Sequence, residues 1–254
     1  MYLRGVHVEQ HLPTLRQLIR DNPLGILTTA IPSTSAPLIQ SSHIPWVLKV
    51  DDDESETELG ILRGHMARVN PQSKAMIESV QTDPNASEGS ILEQDVLVLF
   101  TSPVHHYVTP KFYVETKPKN GKVVPTWNYA AVQAYGRARI FYDAKAEKTS
   151  SFLSSQIDEL SNLGEREIMR DESPWEVTDA PDKFIEVMKK AIIGIEIEIT
   201  RLEGKFKMSQ EMSVGDREGV IAGFQSIKNE TASKMAHLVE SRGALKDQEK
   251  KILA

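Results

Sequence analysis

Apolar and polar positions change period several times along the chain, and each change marks an element. From His11 to Asp21, Leu12, Leu15, Leu18 and Ile19 recur at helical spacing until Asn22-Pro23 stops the run. Gly25 to Ala30, "GILTTA", is dense in β-formers and predicts a strand. Leu38 to Val50, "LIQSSHIPWVLKV", predicts its partner, with Pro45 at an edge or bulge. The run Leu59 to Val69 predicts another strand, ended by Asn70-Pro71, and Lys74 to Ser79 opens a helix. Asp95 to Thr101, "DVLVLFT", is almost continuously apolar and predicts a buried strand, which His106 to Val108 can extend. Phe112 to Pro125 carries an exposed turn, "KPKNGK", and Trp127 to Tyr142 is the longest strand. About six strands with short turns and few helices predict an antiparallel barrel.

The pattern then turns helical. Ala146 to Met169 predicts one long amphipathic helix, with Phe152, Ile157, Leu160 and Leu163 near one face, and Pro181 to Ile192 predicts a second. "GIEIEITRL", Gly194 to Leu202, alternates cleanly: Ile195, Ile197 and Ile199 point inward, Glu196 and Glu198 outward. Asp216 to Ile227, with Asp216 as N-cap, and Glu230 to Arg242 predict closing helices. The last dozen residues are highly charged, which favours a fraying end. A lone strand cannot stand by itself, so "GIEIEITRL" is expected to return to the first sheet. The expected organisation is a mainly β core at residues 1–145 within an α+β fold. A helical extension at 146–254 lends that core one strand at about 194–202.

Composition narrows the classes. The 254 residues carry a formal net charge of −6, which offers no global attraction to nucleic acid. With no cysteine, disulfides, thiolate metal sites and cysteine nucleophiles are excluded. No apolar run approaches the ~20 residues that a membrane-spanning helix needs. The N-terminus lacks an apolar signal core, so the expected location is cytoplasmic, with the nucleus as the other compartment open to such a chain.

Familiar motifs are missing. There is no P-loop, dinucleotide fingerprint, HExxH or GxSxG. His105 and His106 are adjacent, so on a regular strand they face opposite ways and cannot share an ion. Asp51 to Glu58, "DDDESETE", reads as a solvated hairpin loop with no fixed ligand geometry.

Three stretches remain dense in polar and aromatic groups. In "RGHMARVNPQSK", His65, Arg68, Asn70, Gln72 and Ser73 run up to a strand-to-helix junction. An anion there could meet an arginine fork and free helix amides; equally, Arg68 could form a rim salt bridge and Asn70 a turn. In "SSHIPW", Ser41, Ser42 and His43 are either solvated strand residues or polar contacts beside an apolar floor. In "VPTWNYAAVQAYG", core packing is the commoner role for Trp127, but Asn128, set between Trp127 and Tyr129, needs a partner if buried.

Taken in order, these stretches resemble the PaiB-like family of FMN-binding split-barrel proteins. That family carries "MYxPxHF", "PLGxLxT", "SHIPF", "GHxARANPQ", "VPTWNYxAVHxxG" and "GKFKxSQNR…DRxGVIxGL". This chain has MYLRGVHV, PLGILTT, SSHIPW, GHMARVNPQ, VPTWNYAAVQAYG and GKFKMSQEMSVGDREGVIAGF, so the likeness spans nearly its whole length. The resemblance implies a six-stranded antiparallel split β-barrel that forms a homodimer with FMN at its interface. It places the flavin phosphate near Arg68, Asn70, Gln72 and Ser73, beside His65, Met66 and Ala67. The flavin ring would lie along Ser41, Ser42, His43 and Ile44 and the start of "TWNYAAV", with Trp127, Asn128, Tyr129 and Gln133. His43, His65 and Arg68 could stabilise negative charge on a reduced ring. An enzyme of this kind would be an FMN-dependent oxidoreductase. The family's other implied role is transcriptional regulation, yet no basic stripe for DNA stands out on the last two helices.

This chain departs from the pattern at Gln133, where the family has His, at SQEM for SQNR, and at SHIPW for SHIPF. Gln133 can still hydrogen-bond a flavin carbonyl or ring nitrogen, but it cannot act as an acid or base.

Overall fold

The computed structural model describes residues 1–82 and 91–252. In chain order these form β1 (Val8–Glu9), α1 (Leu12–Asp21), β2 (Leu24–Ala30), β3 (Ile39–Pro45), β4 (Val47–Lys49) and β5 (Ile61–Ala67). Next come α2 (Pro71–Thr82), β6 (Val96–Thr101), β7 (His106–Val108), α3 (Thr116–Asn120), β8 (Thr126–Phe141) and α4 (Glu147–Asn162). The chain closes with α5 (Asp182–Lys190), β9 (Ile192–Lys207), α6 (Val214–Ser226) and α7 (Glu230–Ile252). Six long strands match the expected barrel, and the short β1, β4 and β7 extend it. The last helix outruns its predicted end at Arg242; of the charged tail, residues 253 and 254 lie outside the described residues.

The chain divides into two compact units, 11–100 with 133–202, and 1–10 with 101–132 and 203–254. The larger unit holds the curled sheet, in the order β3-β2-β6-β8-β9-β5-β4. β2 pairs with β3 (Leu27↔Ser42) and with β6 (Leu27↔Val98), while β5 pairs with β9 (Leu62↔Ile197). β3 and β4 are one run broken at Trp46. Its first part pairs with β2, and its second part pairs with β5 at the opposite end of the sheet (Leu48↔Leu62). That bend closes the split barrel. Trp46 is buried at the corner, and its backbone N–H donates to Pro23 O at 2.9 Å. Leu27, Ile44, Leu62, Val98, Phe100, Ile140, Ile195 and Ile197 form the core, so the inward isoleucines of "GIEIEITRL" lie where alternation put them.

Two features of this unit differ from the hydrophobic pattern. The long helix stops at Asn162 and passes into a π-helical turn, Leu163–Ile168. Its buried face is Thr149, Phe152, Leu153 and Gln156 instead of an unbroken apolar stripe, because it meets polar residues on β5. The acidic loop is also organised. Arg16 of α1 is fully buried, and its guanidinium donates to the carbonyls of Glu58, Asp53 and Ser55. The Glu58 carboxylate accepts from Asp51 N and Asp52 N at 2.8 and 3.0 Å.

In the smaller unit, β1 pairs with the end of β9 (Val8↔Lys205) and β7 with the start of β8 (Tyr107↔Trp127). The predicted exposed turn is α3, closed by Gly121 in the left-handed region at φ 66°. The N-cap of α6 is Ser213 and not Asp216, because the Ser213 hydroxyl stands three residues ahead of Asp216 and takes its free amide. Ser213 Oγ accepts from Asp216 N, while the buried Asp216 carboxylate accepts from Glu115 N and Thr116 N at 2.8 and 3.1 Å.

Gly136 on β8 lets the neighbouring strand approach: a Cβ there would lie 2.1 Å from Glu198 O and 2.9 Å from Ile197 Cγ2. Gly136→Ala is therefore expected to cost about 1–3 kcal/mol in chemical denaturation. Gly164→Ala, which would meet nothing within 4 Å, is expected to stay within about 0.5 kcal/mol of the parent.

Candidate functional site

The larger unit brings two of the three polar stretches together. On β3, Ile39, Ser41 and His43 face outward, while Ser42 and Ile44 alternate to the other side, with Ile44 in the core. Ser41 Oγ lies 2.9 Å from Thr28 Oγ1, its cross-strand partner. The His43 side chain makes no hydrogen bond among the described residues. The barrel bend carries Ser42 against the turn after β5, where Asn70 Nδ2 donates to Ser42 Oγ at 3.1 Å.

That turn is tightly bonded. Asn70 caps α2: its Oδ1 accepts from Gln72 N at 2.9 Å, and its backbone carbonyl accepts from Lys74 N. Pro71 has no amide hydrogen, so few of the free helix amides expected for an anion remain. Ser73 is buried and donates to Ala67 O at 2.8 Å. Gln72 is buried and donates through Nε2 to Thr29 Oγ1, Gln40 O and Leu27 O, tying α2 to β2 and β3, while its Oε1 has no partner among the described residues.

Arg68 occupies the corner itself. Its guanidinium donates to Tyr142 O at 2.6 Å, Lys190 O at 3.1 Å and Ile192 O at 3.3 Å. These are all neutral carbonyls, and no carboxylate pairs with Arg68 among the described residues, so its charge is held in place without being cancelled. Among the described residues the rim salt bridge that the sequence allowed for Arg68 does not form.

On β5, Met66 is buried in the core, Ala67 is exposed, and His65 faces α4, with Nδ1 2.6 Å from Gln156 Oε1. Two residues earlier, Arg63 bonds Glu159 of α4 and stacks 4.6 Å over Phe152. Sequence reading missed Gln156 and Glu159. Their only signal is two polar residues three apart on the buried side of an amphipathic helix. Gln133 accepts from Tyr135 Oη at 2.9 Å, which leaves its amide nitrogen as an uncommitted donor.

Trp127, Asn128 and Tyr129 belong to the smaller unit. Core packing, the commoner role for a tryptophan, does not hold: Trp127 is 52% exposed and meets Tyr107 edge-on at 6.2 Å and His105 at 5.8 Å. Asn128 points inward and is fully buried, exchanging hydrogen bonds with Ser209 at 3.0 and 3.2 Å. Tyr129 is half-buried, with Lys205 Nζ 5.6 Å from its ring centre. Ser209 sits at φ 61° and opens the variant run SQEM. Two residues on, Glu211 meets the buried His7 Nε2 at 3.0 Å. Burial pushes the Glu211 carboxyl up, but the His7 bond and Lys207 outweigh it and hold it below the ordinary value. Burial also lowers the Lys207 ammonium, which donates to Trp127 O at 2.8 Å.

Comparison with known proteins follows the same outline. A family model described as "Putative FMN-binding domain" matches residues 1–201. "Uncharacterized protein AN0679" of Emericella nidulans is 57% identical over 249 residues, spanning 97% of this chain and 99% of that one. "Uncharacterized protein AFUA_5G13800" of Aspergillus fumigatus is 54% identical over 259 residues, with the same coverage of 97% and 99%. "Protease synthase and sporulation protein PAI 2" of Bacillus subtilis is 26% identical over 243 residues, spanning 95% of this chain and 98% of that one.

The His7–Glu211 pair has a pH signature. A carboxyl lowered on folding adds stability above its unfolded value, about 4.3 for Glu, and that stability is lost as pH falls through the folded value. Denaturation of the parent and of Glu211→Gln is expected to show the parent more stable near neutrality, with the gap closing below about pH 4. A gap that stays constant down to about pH 3 rules out the Glu211 carboxylate as its source.

Proposed function

Because the chain belongs to the FMN-binding family whose model covers residues 1–201, we propose that its larger unit holds the FMN phosphate at Arg68 and the ring along Ser41 to Ile44. The residues fit that cofactor. A phosphate dianion calls for a cation whose charge is not already spent, and Arg68 is one. The ring calls for hydrogen-bonding groups beside an apolar floor. Ser41 and His43 offer the groups, and the Gln133 amide nitrogen is a further donor. Asn70, Gln72 and Ser73 act in this reading as the frame, since their side chains are committed to β2, β3 and the β5 carbonyl end.

Bound flavin supplies electron transfer. This chain's part is to bind and orient the ring, with His43 and Arg68 as the groups able to sit near negative charge, while His65 is turned to Gln156 of α4. On that basis the chain is proposed as a flavoprotein with an oxidoreductase role. Its second copy in a homodimer would cover the outer face of β3, an end strand of the sheet where Ile39 is 66% exposed.

A second reading, a regulatory protein, follows from the resemblance to the PaiB-like family, whose Bacillus relative is named for protease synthase and sporulation. The charges of α6 and α7 argue against direct contact with DNA: Arg217 pairs with Asp247, Arg242 with Glu9, and Lys234 with Glu230. A regulatory role would therefore act through protein contacts, with the flavin as ligand.

The observation that carries the flavin reading is the uncancelled charge of Arg68. Titrating FMN into Arg68→Ala is expected to show affinity about 10- to 100-fold weaker than the parent, the worth of a charged hydrogen bond. Arg68→Lys, which keeps the charge without the fork, is expected to fall between them. Equal affinity in Arg68→Ala, with its thermal unfolding checked because Arg68 also holds three carbonyls, removes Arg68 from the site.

A further inference from the structure

The outer face of β5 and the inner face of α4 meet in a seam of polar atoms whose bonding is incomplete. Gln156 is fully buried, yet its Nε2 has no partner among the described residues. Its Oε1 faces His65 Nδ1 at 2.6 Å. An amide oxygen only accepts, so in this arrangement Nδ1 carries the imidazole proton. That leaves Nε2 as a lone-pair acceptor, and it has no partner among the described residues.

His65 also lines an open cavity of about 200 Å³. The other walls are Ile157 of α4, Trp175 and Val177 from the segment before α5, Ile185 and Met188 of α5, and Ile192 of β9. Ser161 and Lys189 complete the lining. Lys189 brings only its stem, because its ammonium is taken by Ser150, Ser154 and Glu186 at 2.9 to 3.0 Å. The cavity is thus mainly apolar, with the His65 imidazole acceptor and the Ser161 hydroxyl in its wall. A dry apolar cavity of about 150 Å³ is large enough for benzene, so this one takes a single substituted ring. Pockets for drug-sized ligands begin at about 300 Å³, so a three-ring flavin is too large for it. Trp175 and Met188 are each 46% exposed at its edge, apolar surface that an occupant would cover.

We propose that this cavity binds a small aromatic molecule bearing a hydroxyl or N–H donor. The ring lies among Ile157, Trp175, Ile185 and Met188, and the donor bonds His65 Nε2. This goes beyond the flavin reading and stands apart from it, since it needs no flavin to be bound.

The test is calorimetric titration of the purified chain with phenol and with anisole, a methyl ether of similar shape that cannot donate, each repeated in the presence of FMN. Phenol is expected to saturate at one molecule per chain and to bind about fivefold or more tightly than anisole, the worth of one neutral hydrogen bond. Met188→Trp, at a position exposed enough to keep the fold, is expected to fill the cavity and abolish phenol binding. Three results overturn the proposal: no saturable binding of phenol up to about 10 mM, anisole binding as tightly as phenol, or displacement of phenol by FMN. Displacement would make the cavity part of the flavin site. A chain that takes phenol but not FMN keeps this proposal and loses the flavin reading.

Discussion

The larger unit depends on one bend. At Pro45 and Trp46 a single run of chain leaves its pairing with β2 and takes up pairing with β5 at the opposite end of the sheet. A flat sheet would leave both ends open. The buried indole fills the corner, and the Trp46 N–H bond to Pro23 O fixes the angle. Gly64 on β5 is part of the same constraint, since a Cβ there would lie 3.0 Å from the Trp46 ring and 3.2 Å from Pro45 O. Closure has a chemical consequence, because it brings Ser42 within hydrogen-bond reach of Asn70. The candidate site is made at the seam, and the residues that pin the seam also shape the site.

Two arginines illustrate how similar bonding can serve different ends. Arg16 and Arg68 each donate to three backbone carbonyls. Arg16 is sealed beneath a loop rich in acids, so its charge is answered nearby, and the Glu58 carboxyl, lowered first by the Asp51 and Asp52 amides, is lowered further by Arg16. Arg68 is only half-buried, at a corner with no carboxylate partner among the described residues. The first arginine organises the acidic loop. The second holds strand ends together and keeps a charge that no carboxylate cancels among the described residues.

Much of the fold was legible because alternation is a local signal. The late strand, with Ile195, Ile197 and Ile199 inward, followed from its period and from the inability of one strand to stand alone. What escaped depended on distant partners. The buried face of α4 includes Thr149 and Gln156, which a hydrophobic stripe cannot reveal, because Gln156 is buried to meet His65, 91 residues away. Asp216 drew the N-cap reading because acids favour helix starts, whereas a serine three residues earlier takes that place. At the start of β8 the pattern inverts, with the aromatic Trp127 outward and the polar Asn128 inward, because Ser209 supplies the partner that a buried amide needs. For the candidate site, sequence identified the residue types. It could not say which side chains were already spent on the frame, and that separates Arg68 from Asn70, Gln72 and Ser73.

The central claim is that this chain holds FMN. Its most direct test is titration of FMN into the purified parent chain, followed by quenching of flavin fluorescence. The account predicts saturable quenching at one FMN per chain, with a dissociation constant below about 1 μM, close to −8 kcal/mol of binding free energy. Flavin fluorescence that stays unchanged while protein reaches about 100 μM would contradict it.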